Sequence, residues 1–290
     1  DTGEKMRTME PGNAEKVLLE IWDLMSDISV TFFLRHGTCL GAVRDGELIP
    51  WDDDIDIGSI IGMHNVDEST IQKVVEKFES ANFDVKVLET NFHVGVELSK
   101  YGIPIDWTCY RIREGNIFQY PGVKIPIHIY EELKSIPLLG KSFYVPNPPE
   151  EYLTLKYGTQ WRIPKRNGFE ADIIDSIPTS VNISKSSVFA KVRKLLFPKK
   201  HLTRIEILSS DLQPIPDMEV TIVGISKQVT DQHGNTTFNI SNEDYYALDI
   251  GSGEVREILY EEILKPGKEY SYIQDANERQ GRIHVLQEKS

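Results

Sequence analysis

The segment Trp51-Asp52-Asp53-Asp54-Ile55-Asp56-Ile57-Gly58 constrains this chain more than any other. In extended backbone, successive side chains point to opposite faces. Asp52, Asp54 and Asp56 would then share one face while Ile55 and Ile57 enter a core on the other. Carboxylates crowded on one face repel and raise one another's pKa. A bound divalent cation removes that penalty, and hard oxygen ligands favour Mg²⁺ or Mn²⁺. An EF-hand calcium loop needs glycine at its position 6 and glutamate at position 12; counted from Asp52, Ile57 and Met63 stand there. A merely solvated acidic loop leaves the interleaved Trp51, Ile55 and Ile57 without a reason. A divalent-metal site is the expectation.

Upstream, Gly37-Thr38 follows the apolar run Ile28–Leu34, read as a buried strand, and precedes an apolar helical turn. Glycine there lets a phosphate approach the backbone, and Thr38 adds a hydroxyl donor. Joined to an Asp-x-Asp strand, this is a nucleotidyltransferase-like arrangement, which calls for a third carboxylate on a neighbouring strand. Asp106 is the acid of the apolar strand Ile103–Tyr110, whose opposite face carries Ile105, Trp107 and Cys109. An unpaired buried carboxylate is costly, so Asp106 needs a cation or a base. The metal cluster supplies one.

Gly37-Thr38-x-Leu40-Gly41-Ala42-Val43-Arg44 followed by Ile49-Pro50-Trp51-Asp52-Asp53-Asp54-Ile55-Asp56-Ile57 resembles the LicD family. That family includes bacterial phosphocholine transferases and is related to fukutin and fukutin-related protein. Tyr152-Leu-Thr-Leu-Lys156-Tyr157-Gly158-x-x-Trp161 resembles its closing motif, so the likeness covers about residues 13–165. The resemblance implies a nucleotidyltransferase fold. It also implies transfer of a phosphorylated alcohol, phosphocholine or polyol phosphate, from a CDP-activated donor to a glycan acceptor, free or lipid-linked. By it, Asp54 and Asp56 are the metal pair, Asp52 supports them and Asp106 is the third catalytic acid. Two ions would clamp the pyrophosphate and activate the acceptor oxygen, with Asp106 bridging a metal or taking the acceptor proton.

Gly37, Thr38, Arg44, Lys156 and Trp161 form the expected donor-binding set, arginine suiting bidentate contact and lysine a point charge. His36 and His93 are further candidate donors, and Trp51, like Trp161, a candidate to stack on a base; structural packing is the alternative for each. Two other functions share these residues: a nucleotidyltransferase that places NMP on an acceptor, and a silent glycan-binding protein. The intact Asp52, Asp54, Asp56 and Asp106 weigh against the second.

Periodicity organises the rest. Val17, Leu18, Ile21, Trp22 and Met25 mark a helix over 13–26, and Ile71, Val74, Val75 and Phe78 another to Ser80. Strands follow at 83–88, 92–98 and 103–111, with a hairpin at Lys100-Tyr101-Gly102. The Pro- and Gly-rich pieces 120–127 and 136–149 read as ordered loops, and 150–157 as helix. After Pro198-Lys199-Lys200, short β-rich pieces separated by turn residues signal a sandwich. There, Thr230-Asp231-x-x-Gly234 resembles the structural turn of carboxypeptidase-regulatory or transthyretin-like domains. The fold class is therefore α+β. A flexible arm over 1–12 precedes a nucleotidyltransferase-like mixed sheet with flanking helices over 13–200, and a small all-β sandwich follows over 201–290.

The net charge of −13 excludes a nucleic-acid coat, which needs basic surface. Residues 150–200 reverse the sign, with 10 bases against 5 acids. Within them, residues 185–200 read as holding a basic amphipathic helix, over 186–197, which either packs its apolar face on the domain or makes peripheral contact with an anionic membrane. No apolar run is long enough to cross a bilayer. Cys39 and Cys109 read as reduced and buried, so the expected place is the cytoplasm, at the inner membrane surface. A secretory-pathway lumen is the alternative, where the sequons at Asn182, Asn235 and Asn239 would matter. The chain starts at Asp1, without methionine or a signal-like segment, so its start is consistent with processing or with trimming and targeting is not read from it.

Overall fold

The computed structural model describes residues 8–89, 93–113, 115–119, 123–166, 202–223, 225–240, 243–275 and 282–289. The chain divides into two compact units, residues 1–118 with 124–167, and residues 119–123 with 168–290. The basic helix expected within 185–200, its membrane contact and the Asn182 sequon lie outside the described residues.

The first unit opens with helix α1, Pro11–Asp27, which buries Val17, Leu18, Ile21 and Met25 at helical spacing. Pro11-Gly12, expected to break the chain within a loose arm, begins this helix instead. Proline has no N–H to satisfy at a first turn, and the Glu10 carboxylate accepts from the N–H of Gly12 (3.2 Å) and Asn13 (2.7 Å). The strand expected over 28–34 shrinks to β1, Phe33–Leu34. Its β-branched residues signalled a strand, but the chain must first turn out of α1. Ser29 takes φ +56° and Val30 N–H returns to Met25 O at 2.9 Å.

Helix α2 (His36–Arg44), strand β2 (Ile55–Ile60) and helix α3 (Glu68–Ser80) follow, with Asp67 capping Thr70 N–H at 2.7 Å. Strands β3 (Asp84–Glu89), β4 (His93–Lys100) and β5 (Ile103–Tyr110) form a meander. Its β4–β5 hairpin turns on Tyr101 and Gly102, both at positive φ. The two pieces expected as loops are paired. β6 (Asn116–Gln119) and β7 (Val123–Pro126) make a two-stranded ribbon. β8 (Lys134–Leu138) and β9 (Lys141–Val145) make a hairpin in the main sheet. Gly140 serves the β8–β9 turn, and Pro137 is tolerated because β8 is an edge strand. Helix α4, Pro149–Tyr157, ends at Gly158 with φ +76°.

The main sheet runs β3-β4-β5-β2-β1-β9-β8, parallel at β2–β5 and β1–β9. Strand β2 is central and buried along its whole length. Ile55, Ile57, Ile105 and Trp107 occupy one face, where Trp107 meets Phe78 of α3 edge-on at 6.3 Å and α1 packs on β5 and α3. The opposite face carries Asp56 and Asp106 and meets α2 and α4. This is an α+β architecture, a nucleotidyltransferase-like mixed sheet with flanking helices. No helix among the described residues is long and apolar enough to cross a membrane.

Strands dominate the described residues of the second unit. Strands β10 (Leu202–Leu208), β11 (Glu219–Ile222), β12 (Ser226–Val229), β13 (Asn235–Asn239), β14 (Asp244–Ile250), β15 (Glu257–Leu264), β16 (Glu269–Ile273), β17 (Arg282–Ile283) and β18 (Gln287–Glu288) form two sheets. Their orders are β13-β10-β16-β18 and β12-β11-β14-β15-β17. One core joins them, including Ile205, Val220, Phe238, Leu248, Leu259 and Tyr272. Asp231 makes the expected turn, its Oδ1 accepting from His233 and Asn235 N–H at 2.9 Å each.

Trp107 is wholly buried and donates its indole N–H to Ser59 Oγ at 3.1 Å. Trp107→Ala should therefore cost about 3–5 kcal/mol, read as a lowered denaturant midpoint of the first unit.

Candidate active site

Arg35, between β1 and α2, organises the polar face. Its Nη2 lies 3.0 Å from Asp56 Oδ1 and 2.6 Å from Asp106 Oδ2. Its Nε donates to Ile57 O at 3.0 Å, and its backbone N–H to Asp56 O at 3.1 Å. The two acids stand opposite each other in the parallel β2–β5 register. Burial works against the Arg35 charge, but Tyr110, Asp106 and Asp56 outweigh it and hold the pKa above its ordinary value. Sequence reasoning missed this residue. The available signal was a lone base closing the apolar run Val30–Leu34, directly before Gly37-Thr38.

Alternation along an extended strand placed Asp52, Asp54 and Asp56 on one face, but β2 begins only at Ile55. Residues 52–54 lie before the strand, where strict alternation does not hold, and Asp53 joins the group. Among the described residues, Asp52, Asp53 and Asp54 each offer a carboxylate oxygen, all within 4.8 Å of one another. Burial, then Asp56 and Asp53, pushes Asp52 up to about 7. Asp54 is raised chiefly by Asp56 and then by burial. Burial also raises Asp56, against the opposing charges of Arg35 and Lys156.

Gly37 makes room for this cluster: a Cβ there would come within 2.3 Å of Asp52 Oδ2. Thr38 is buried, and its hydroxyl accepts the Asp56 N–H at 2.8 Å, tying α2 to β2. Both residues thus position the acids. Lys156 is 2% exposed and directs its charge at Asp56. His36 N–H donates to the Tyr152 hydroxyl at 3.0 Å, and its Nδ1 lies 3.5 Å from Asp56 Oδ1.

The remaining candidates make contacts of their own. Arg44 is seven residues along α2 from Gly37, about 10 Å at 1.5 Å per residue, and chelates Asp45 at 2.9 and 2.6 Å. His93 pairs with Tyr110, four positions from the Glu97–Asp106 pair, about 13 Å along the strand. Trp161 is buried with the Arg162 guanidinium 4.1 Å over its ring, and Trp51 carries Arg166 at 5.1 Å. A cavity of about 490 Å³ opens beside the acids, bounded by Asp54 and Asp106 and by Asp84, Lys86, Glu97 and Ser99.

Residues 29–148, which hold Arg35, the acidic block and Asp106, match the family described as LicD/FKTN/FKRP, nucleotidyltransferase domain. This domain belongs to the LicD family. An uncharacterized Rickettsia prowazekii protein, RP689, is 28% identical over 66% of this chain and 73% of its own length. Human ribitol 5-phosphate transferase FKRP is 29% identical over 44% of this chain and 28% of its own. Mouse ribitol-5-phosphate transferase FKTN is 26% identical over 48% and 31%. The chain thus spans about a third or less of these two transferases. Lys156 and Trp161 lie beyond the LicD match.

The Asp52 shift sets a pH dependence. The folded state holds the proton up to about pH 7, whereas the unfolded chain releases it near 4. Stability is fully present below the unfolded value and is lost as pH rises through the folded one. Chelator-treated protein should therefore melt at lower temperature at pH 8 than at pH 5. Asp52→Asn should flatten that slope in scanning calorimetry.

Proposed function

We propose that the chain is a divalent-metal-dependent transferase that moves a phosphorylated alcohol from a CDP-activated donor to a glycan hydroxyl. The observation that carries this is the cluster of Asp52, Asp53 and Asp54 next to Asp56 and the Arg35-held Asp106, at the central strands of a LicD domain. The relatives named as ribitol-phosphate transferases favour a polyol phosphate over phosphocholine.

The donor set fits a hard cation. It is all carboxylate oxygen; burial and then neighbouring acids raise Asp52, and Asp56 and then burial raise Asp54, penalties that a cation would relieve. Asp52, Asp54 and Asp56 would hold Mg²⁺ or Mn²⁺. Such an ion neutralises phosphate charge and stabilises the charge that develops in an in-line displacement.

The chain's own groups do the rest. Gly37 admits the Asp52 carboxylate, Thr38 fixes Asp56, and Lys156 balances Asp56 from beneath. Asp106 is oriented by Arg35 and by the Thr108 hydroxyl, which donates to its Oδ1 at 3.1 Å. It takes the acceptor proton as the acceptor oxygen bonds to phosphorus and the bond to CMP breaks, CMP leaving with the electron pair. The cavity beside it, with three carboxylates besides Asp106, repels a pyrophosphate and offers hydrogen-bond acceptors to sugar hydroxyls. We assign it to the acceptor. The split into a catalytic domain over 13–200 and a β-sandwich over 201–290, and a reducing compartment suited to the buried free Cys39 and Cys109, belong to the same proposal.

Incubation with a CDP-polyol, Mn²⁺ and a glycan acceptor should add the polyol phosphate and release CMP, read by product mass. Addition of CMP to the glycan would instead make the chain a nucleotidyltransferase. Binding of glycan with no donor turnover would make it a silent lectin. Asp54→Ala or Asp56→Ala should lower turnover by more than the roughly 10–100-fold that loss of a ligand's supporting partner costs. Gly37→Ala should keep stability within about 1 kcal/mol, yet weaken Mn²⁺ binding by roughly tenfold through Asp52.

A further inference from the structure

Phosphoryl transfer between paired carboxylates often relies on two cations, one at the donor phosphates and one where the acids face each other. In this site a protein cation already stands at the second place. Arg35 Nη2 bridges Asp56 Oδ1 at 3.0 Å and Asp106 Oδ2 at 2.6 Å. The side chain is only 3% exposed, and Nε is committed to Ile57 O. Gly58 adds to the enclosure, since a Cβ there would lie 3.3 Å from Arg35 Cδ. The other Asp106 oxygen accepts from the Thr108 hydroxyl. Both Asp106 oxygens therefore have donors from the protein itself.

A guanidinium never deprotonates, and its donors are fixed in a planar fork. A divalent ion sharing the same two oxygens would need to sit about 2.0–2.1 Å from each, on top of an immovable positive charge. Arg35 takes only Oδ1 of Asp56, and the neighbouring Asp52, Asp53 and Asp54 offer carboxylate oxygens mutually close enough for one ion. We infer that Arg35 serves as the fixed second cation of this site, so that the chain binds a single divalent ion, at the Asp52–Asp54 end. Asp106 is then positioned by Arg35 and does not coordinate metal. This rests on the metal-dependent reading and departs from the two ions that the family resemblance implied.

The test counts Mn²⁺ bound per chain by electron paramagnetic resonance of the free ion, on the full chain without nucleotide. Wild type should bind one ion. Arg35→Gln, shown to be folded by its thermal transition, should bind two, because Asp56 and Asp106 then lack their bridge. Arg35→Lys, which keeps the charge, should return the count to one. Asp106→Asn should leave the count at one whether or not Arg35→Gln folds. Two ions on wild type, one on folded Arg35→Gln, or loss of the ion from Asp106→Asn would each overturn the assignment while leaving metal-dependent transfer intact. No bound Mn²⁺ on wild type would sink both readings.

Discussion

The Arg35 guanidinium is the interaction on which the rest of the catalytic face depends. Burying a charge costs several kcal/mol unless it is paired and hydrogen-bonded, and here three elements supply the partners. Asp56 and Ile57 come from β2, Asp106 from β5, and Arg35 itself from the junction of β1 and α2. That requirement explains why β1 is so short. The chain needs two residues to pair with β2 and must then turn at once, so that Arg35 reaches across the strand ends. It also explains how Asp56 tolerates a site where only 8% of its surface meets solvent.

Against this fixed positive charge, the loop before β2 concentrates negative charge. Asp52 and Asp54 are raised because they crowd Asp56 and one another in partial burial, which is an unfavourable arrangement for folding alone. Local devices hold it in place: Gly37 leaves room for Asp52, Thr38 ties down the Asp56 backbone, and Met9 N–H bonds to Asp52 O at 3.0 Å. On the proposed reading, the permanent charges of Arg35 and Lys156 would be complemented by one exchangeable cation at the acidic loop.

Much of this was legible in the amino-acid order, and the exceptions have physical causes. The alternating Asp and Ile residues at 54–57 and the single acid in Ile103–Tyr110 identified two adjacent central strands, because a one-residue slip there would bury the acids among aliphatic groups. Helical spacing located α1 and α3 for similar reasons. The hairpin of β8 and β9 was hidden because Pro137 and Gly140 resemble loop composition, although one sits on an edge and the other in a turn. Asp53 was left out because strict alternation was extended back beyond the start of β2. Arg35 was overlooked because a base beside a glycine reads as a surface residue until the strand order puts two acids in front of it. Arg44 and His93 carry suitable chemistry, but Arg44 is engaged by Asp45 and His93 lies about 13 Å along the strand from the Glu97–Asp106 pair.

A double-mutant cycle on Arg35 and Asp56 tests this account most directly. Arg35→Met, Asp56→Asn and the double variant would be compared by denaturant unfolding of the chelator-treated protein. If the buried pair anchors the face, each single change should cost roughly 3–5 kcal/mol by leaving its partner uncompensated. The double variant should then recover a coupling of about 1–3 kcal/mol. Additive effects, with no coupling beyond about 0.5 kcal/mol, would contradict the claim that Arg35 holds the carboxylates together.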